Sequence, residues 1–338
     1  MSNLFKKAAV FTDIHFGLKS NSLQHNTDCA NFVEWFIATA KAEGCETCFF
    51  LGDYNHHRAT INIQTLNFGL RSLERLSQSF EKVYFIAGNH DLFFRDKRDV
   101  HSIEWAKHLP NVTVIDQWFE QDDVVIAPWL VGDDWRQLEH KRGKYLFGHF
   151  ELPHFILNAM IEMPDHGELQ TNHITQFDYV FSGHFHKRQQ KGNVIYIGNA
   201  FPHNFSDVGD DARGMMILEW DKKPEFRTWA EAPKFRVYSL SQVLEDPEKY
   251  LLPDSYVKIN LDIDISFEES AFIRESLVPQ YKLREMTLIP MKVDLETDST
   301  DYSNTEFESV DAIIQTQIDS LLEGSYDKKL LLDIYRSI

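Results

Sequence analysis

Cysteine is scarce in this sequence, histidine is missing from its last 135 residues, and no long apolar run occurs in its 338 residues. The three cysteines, Cys29, Cys45 and Cys48, are too few and odd in number for a disulfide framework. The Cys45-x-x-Cys48 spacing fits a redox pair or half a zinc site, but no second Cys pair exists to complete one. Reduced cysteines packed at a helix–strand junction, in a reducing cytosol, are therefore expected. No stretch approaches the roughly 18 consecutive apolar residues of a membrane helix, so no membrane association is expected. The opening "MSNLFKKAAVFTD" lacks the apolar segment and small-residue cleavage site of a secretory signal, and a cytoplasmic protein is the expectation.

Positive charge is also short. Lys and Arg number 34 against 52 Asp and Glu, a net of −18. That balance weighs against a nucleic-acid partner, because phosphate contacts favour a basic surface. Its distribution softens the argument: residues 234–338 hold 11 Lys/Arg against 21 Asp/Glu, which leaves −8 on the larger first part. Bound divalent ions would make the local field at a site positive whatever the total.

All 15 histidines stand at or before His203, so the chemistry is expected in the first two-thirds of the chain. There one arrangement recurs five times: a short apolar run, then residues able to bind metal. The copies are "KAAVFTDIH", "TCFFLGD", "VYFIAGNH", "YLFGH" and "YVFSGHFH", the first carrying Thr12 where the others place a glycine. The runs are short and rich in β-branched or aromatic residues, as buried strands of an α/β sheet are. Segments of helical period, "CANFVEWFIATAKAEG" and "IQTLNFGLRSLERLSQSF", separate the first three. Ligands bind at the carboxyl ends of strands in such sheets, so all five ends are expected at one site.

Together the strand ends offer Asp13, His15, Asp53, Asn89, His149, His184 and His186. Asp13 and His15 are two apart, as are His184 and His186, and each pair would point the same way from an extended backbone. Two carboxylates, four imidazoles and an amide exceed one four-coordinate zinc site and suit two adjacent metals sharing a ligand. Mixed nitrogen and oxygen ligation fits manganese, iron or zinc. Asp91 is expected to orient the loop backbone rather than bind metal. His101, His108, His140, His154, His166 and His173 are read as surface or satisfied core residues, and His25 as a surface residue first, with a reach into the site as the other reading. Lys19, Arg58, Arg95, Lys97, Arg98, Lys187, Arg188 and Lys191 lie near the motif loops, either as a DNA-facing rim or as solvated loop charge.

The series D-x-H, G-D, G-N-H-D, G-H and G-H-x-H, in that order over residues 7–214, resembles the calcineurin-type metallophosphoesterase superfamily. "FGHFEL", "FSGHFH", "IYIGNAF" and "GDDARG" are most similar to its DNA-repair nuclease branch, the SbcD-type subunits and their bacteriophage counterparts. The resemblance implies a two-sheet α/β sandwich flanked by helices, with a small α+β capping domain. It implies two divalent metal ions, manganese first and magnesium as the other choice. Asp13, His15, Asp53 and His186 would surround one ion, and Asp53, Asn89, His149 and His184 the other. His90 would be catalytic without binding metal, assisted by His56, with His57 the alternative. Asn199 departs from the pattern, standing where Ser or Thr is usual. The function implied is a DNA exonuclease/endonuclease for end processing, recombination and repair. It would be a homodimer working on DNA with an SMC-like ATPase subunit, in the host cytoplasm if phage-encoded. The alternatives are a phosphoesterase for a small phosphodiester or phosphoprotein, and a scaffold that kept the fold without turnover.

The domain reading is 1–234 for the nuclease domain, 235–293 for the capping domain and 294–304 for an acidic linker. A helical hairpin at 305–338 would bind the ATPase. In the capping segment "SYVKINLDIDI" and "YKLREMTLIPMKV" read as strands and "SFEESAFIRESLV" as a helix capped by its serine.

Overall fold

A computed structural model of the chain describes residues 3–158 and 161–290. The linker and hairpin expected over 294–338 lie outside the described residues.

Alternation within the short apolar runs sets the architecture. In β1 (Lys7–Phe11), Ala9 and Phe11 face a helical layer while Ala8 and Val10 face the opposite side. The pattern repeats in β2 (Thr47–Phe50) and β3 (Lys82–Ile86), where Cys48, Phe50, Val83 and Phe85 join the helical side and Phe49, Tyr84 and Ile86 the other. These strands and β4 (Val112–Ile115) run parallel and in order. Parallel neighbours need crossovers, supplied here by α1 (Leu23–Ala42) and α2 (Ile63–Ser79). Helix α1 starts earlier than the "CANF" run suggested because the Ser22 side chain caps it at His25 N. Phe11 packs on Phe36 with ring centroids 4.5 Å apart. All three cysteines are buried and unpaired, Cys29 and Cys48 in the helix-side core, as expected of reduced thiols.

A second sheet starts with β5 (Phe119–Gln121), β6 (Val124–Ile126) and β7 (Tyr145–His149). After the hairpin of β8 (Ile156–Asn158) and β9 (Ile161–Glu162) it adds β10 (Tyr179–Gly183), β11 (Gln189–Lys191) and β12 (Val194–Tyr196). Its order is β11-β12-β10-β7-β6-β5. The chain then returns to the first sheet with β13 (Gly214–Glu219), antiparallel to β1, and β14 (Glu225–Thr228) at the edge. Tyr145, Phe147, Phe181 and Ile195 meet Ala8, Val10 and Phe49 between the sheets. Phe49 and Phe147 stack at 4.3 Å, 7° apart. Fully burying each such ring contributes roughly 1.5–3 kcal/mol, so this inter-sheet layer fixes how the sheets face each other. The result is the expected two-sheet sandwich with helices outside it.

The last described segment forms a parallel three-stranded sheet of β15 (Lys234–Ser239), β16 (Ser255–Asn260) and β17 (Glu285–Ile289). Between the last two strands runs α3 (Phe267–Gln280), with Ser266 as its cap. The strand–helix–strand reading of this segment is thus found in place, with β15 added. It has its own small core around Val257, Ile259 and Met286. Among the described residues no helix is long and apolar enough to cross a membrane.

Candidate metal centre

The loops after β1 and β2 run together: Asp13 N donates to Gly52 O (3.0 Å), His15 N to Asp53 O (3.1 Å) and Phe16 N to Tyr54 O (2.8 Å). Following those carbonyls bends the backbone into the left-handed region at Asp13 (φ 50°), His15 (φ 52°) and Asp53 (φ 61°), and His184 after β10 does the same (φ 88°). Non-glycine residues pay of order 1–3 kcal/mol each for such a conformation, which persists where surroundings impose it. This corrects one sequence argument. Asp13 and His15 do not point together from an extended strand; their left-handed bends bring them together.

Each carboxylate has one oxygen held and one left over. Asp13 Oδ2 accepts from Thr12 Oγ1 (2.7 Å) and His184 N (3.1 Å), and its buried Oδ1 has no hydrogen-bond partner. That hydroxyl accounts for Thr12 breaking the glycine pattern. Asp53 Oδ1 accepts from His90 N (2.9 Å), while Oδ2 lies 3.6 Å from His15 Nε2 and 3.4 Å from His149 Nε2.

The remaining donors gather on either side of Asp53. On one side His15 Nε2 faces His186 Nε2 at 3.2 Å, and Asp13 Oδ1 lies 3.9 Å and 3.7 Å from these two atoms. On the other, Asn89 Oδ1 is 3.1 Å from both His149 Nε2 and His184 Nδ1. His149 Nδ1 donates to Leu51 O (2.6 Å), which turns Nε2 inward. Glu151 stands 3.9 Å behind His184 Nε2. All seven expected ligands therefore converge.

Electrostatics follow from packing acids and imidazoles out of water. Burial would raise the Asp53 carboxyl, but His149, then His15 and His90, hold it well below the usual carboxylate range. Burial would lower His149, but the facing Asp53 carboxylate outweighs it and raises its pKa to about 9. Burial pushes the His15 pKa well down and that of His56 down to about 4.

Glycines make room for this. A Cβ on Gly88 would overlap the Asp53 carboxylate and amide; one on Gly183 would strike Thr12 Oγ1 and the His149 ring. Asp91 is buried and accepts from Tyr54 N (3.0 Å), Asn55 N (2.8 Å) and Gly88 N (3.0 Å), as expected of a loop organiser. His90 Nδ1 donates to His56 O (2.7 Å), so its Nε2 is free, and the two rings stack at 5.2 Å. The His56 ring reaches His15, Nδ1 to Nδ1 at 3.4 Å, while His57 Nε2 is buried without a partner.

Several residues escaped the sequence reading. His25 is buried, not on the surface, and its Nε2 donates to His15 O at 3.0 Å. His203 is buried beside His15 and His186. Arg213, of "GDDARG", is also buried; it donates to His186 O and pairs with Asp210 (2.8 Å). A local signal existed for Arg213, flanked by acids; nothing in the sequence marks the two histidines. Two of the eight loop cations, Arg98 and Arg188, are drawn partly into the fold, and the exposed Lys19 lies against an aromatic ring. Lys19 packs over Tyr256 (3.8 Å), Arg98 pairs with Asp134, and Arg188 lies over Phe226 (4.1 Å). Away from the site, His101 meets Glu104 (2.9 Å) and Asp116 (3.7 Å), but Lys107 already supplies the positive charge there.

The residues fit divalent ions. Among the described residues, ligand atoms of Asp13, His15 and Asp53 lie within 4.8 Å of one another, as do those of Asp53, His149 and His184. The unpartnered Asp13 Oδ1 is an oxygen buried without the positive charge it needs, and Asp53 Oδ2 faces inward between His15 and His149.

The profile described as calcineurin-like phosphoesterase matches residues 6–188. Exonuclease subunit 1 of Enterobacteria phage T4 is 24% identical over 323 residues, covering 91% of each chain. Among solved structures, a dimetal phosphatase from Danio rerio has a TM-score of 0.41 at 11% identity, over 67% of this chain and 97% of that one. The nuclease MPE from Pseudomonas putida has a TM-score of 0.32 at 15% identity, over 63% and 84%.

Proposed function

The chain belongs to the calcineurin-like phosphoesterase family, a metal-dependent phosphoesterase, and from that premise we propose that it is a two-metal DNA nuclease. The observation that carries the two-ion reading is Asp53 Oδ2, which faces His15 Nε2 at 3.6 Å and His149 Nε2 at 3.4 Å and belongs to both donor groups. Asp13, His15 and His186 would hold one ion and Asn89, His149 and His184 the other, with Asp53 shared between them. Manganese is the ion proposed. Such a pair supplies Lewis acidity toward a phosphodiester and toward the attacking water.

The chain's own residues do the rest. His90 N donates to Asp53 Oδ1 (2.9 Å), which leaves Oδ2 for the ions and seats the His90 ring at the site edge. With Nδ1–H committed to the His56 carbonyl, it is the doubly protonated ring whose Nε2–H passes a proton to the departing sugar oxygen or donates to a phosphate oxygen. His56 assists by fixing that ring from below. Arg58, Arg95, Lys97 and Lys187 are the cations proposed to meet the DNA backbone; Lys97 also lies over Phe94, and Lys191 engages the carboxylate of Glu162.

DNA as substrate is favoured by the T4 relative, whose name makes it one subunit of an exonuclease. The reading assigned to this chain is DNA end processing, recombination and repair, as a homodimer with an SMC-like ATPase subunit. The domain division is 1–234, 235–293, 294–304 and 305–338, with the last segment docking the ATPase. Deleting residues 304–338 should leave a manganese-dependent nuclease that no longer co-purifies with that subunit; full retention of the subunit would place its docking surface elsewhere. The manganese-loaded protein should degrade linear duplex DNA faster than bis(p-nitrophenyl) phosphate. Turnover of the small diester alone would replace DNA with a small-molecule substrate, and turnover of neither would leave a scaffold.

A further inference from the structure

One buried group beside the metal centre has no place in that scheme. His203 is 1% exposed, and neither of its ring nitrogens has a hydrogen-bond partner. Buried polar groups almost always have partners, so an imidazole with both nitrogens idle points to an absent ligand. Its ring centroid is 5.5 Å from that of His15 and 5.5 Å from that of His186. One ligand nitrogen from each of these three rings falls within 4.8 Å of the others.

The position is held by a built network. His203 N donates to Asp207 Oδ2 (2.8 Å), and Asp207 lies 3.6 Å from the guanidinium of Arg213. Arg213 in turn donates to the carbonyl of His186. The strap that fixes the His186 backbone therefore also fixes His203. On the far side His25 closes the pocket, its ring 5.4 Å from that of His203.

We propose that His203 is a third imidazole donor to the ion held by Asp13, His15 and His186. This rests on the two-ion reading given above. The Asp13 niche then offers three nitrogens and two carboxylates, against two nitrogens, an amide and one shared carboxylate on the Asn89 side. Nitrogen-rich sites favour later divalent metals over manganese, so the niches differ in preference: cobalt(II), iron(II) or zinc at the first is held more tightly than at the second.

Cobalt(II) is the probe. The metal-free full-length chain is titrated by calorimetry while its visible d–d absorption is followed, for wild type, His203→Leu and His203→Gln. Wild type should take two ions with one clearly tighter. Either variant that keeps the wild-type thermal unfolding of the metal-free protein should weaken the tighter ion roughly 10–100-fold or more and change its visible band. The other ion should be unaffected. A folded variant that binds both ions with wild-type affinity and spectrum overturns the role of His203 and leaves the two-ion reading standing. A wild type that binds a single ion, unmoved by either substitution, overturns both.

Discussion

On the Asp13 side of the site, His15 comes from a left-handed bend and sits among imidazoles, with His56, His90, His186 and His203 all within 5.5 Å of its ring centroid. On the Asn89 side, His149 ends a regular strand, is anchored by the Leu51 carbonyl and lies 5.6 Å from the ring of Trp129, which is also 5.4 Å from His184. The two niches share one carboxylate yet are held by different means. Imidazole rings packed around a left-handed bend at His15 define one, and the other joins a strand end with a fixed tautomer at His149 to a second left-handed bend at His184. The two niches therefore differ both in donor type and in the packing behind each donor.

Breaking the shared group should have the largest effect. Asp53→Asn should weaken both ions and reduce phosphodiesterase turnover by about 10³-fold or more, since it removes the charge that holds the electrophilic centre together. Calorimetry beside a diester assay measures this, and retention of one ion at wild-type affinity would show that the niches are independent. His90→Ala lies outside both niches. It should keep two ions and lower turnover by about 10²–10⁴; wild-type rate with manganese would remove His90 from the chemistry.

Gly88→Ala tests how far positioning matters, because its Cβ would land on Asp53, whereas one at Gly167 meets nothing within 4 Å. The first should lower turnover by about 10²-fold, the cost of a roughly 1 Å displacement. Gly167→Ala should leave turnover unchanged; equal losses would refute the positioning argument. Trp129→Ala should have the smallest effect. It should loosen the Asn89-side ion by at most about tenfold and spare the other, as outer groups do. Competition with a metal-sensitive dye resolves the two ions.

Much of this was legible in the order of the motifs. The apolar runs "KAAVF", "TCFF" and "VYFI" were legible as buried strands, and the strand ends named all seven converging donors, while the division of the side chains between two core faces came from the structure. What stayed hidden depends on tertiary contact. His25 and His203 sit in segments without a distinctive motif, and only the fold brings them against His15. The left-handed bends at Asp13 and His15 were not foreseen because they follow from pairing with Gly52 and Asp53 in the loop after β2, distant in sequence. Thr12 looked irregular for the same reason: its hydroxyl matters through the carboxylate it holds.

Anomalous scattering from manganese-soaked crystals tests the shared carboxylate most directly. Two peaks about 3.5–4 Å apart, both within bonding distance of Asp53, are predicted. A single peak, or a pair that leaves Asp53 unbonded to one of them, would contradict the account.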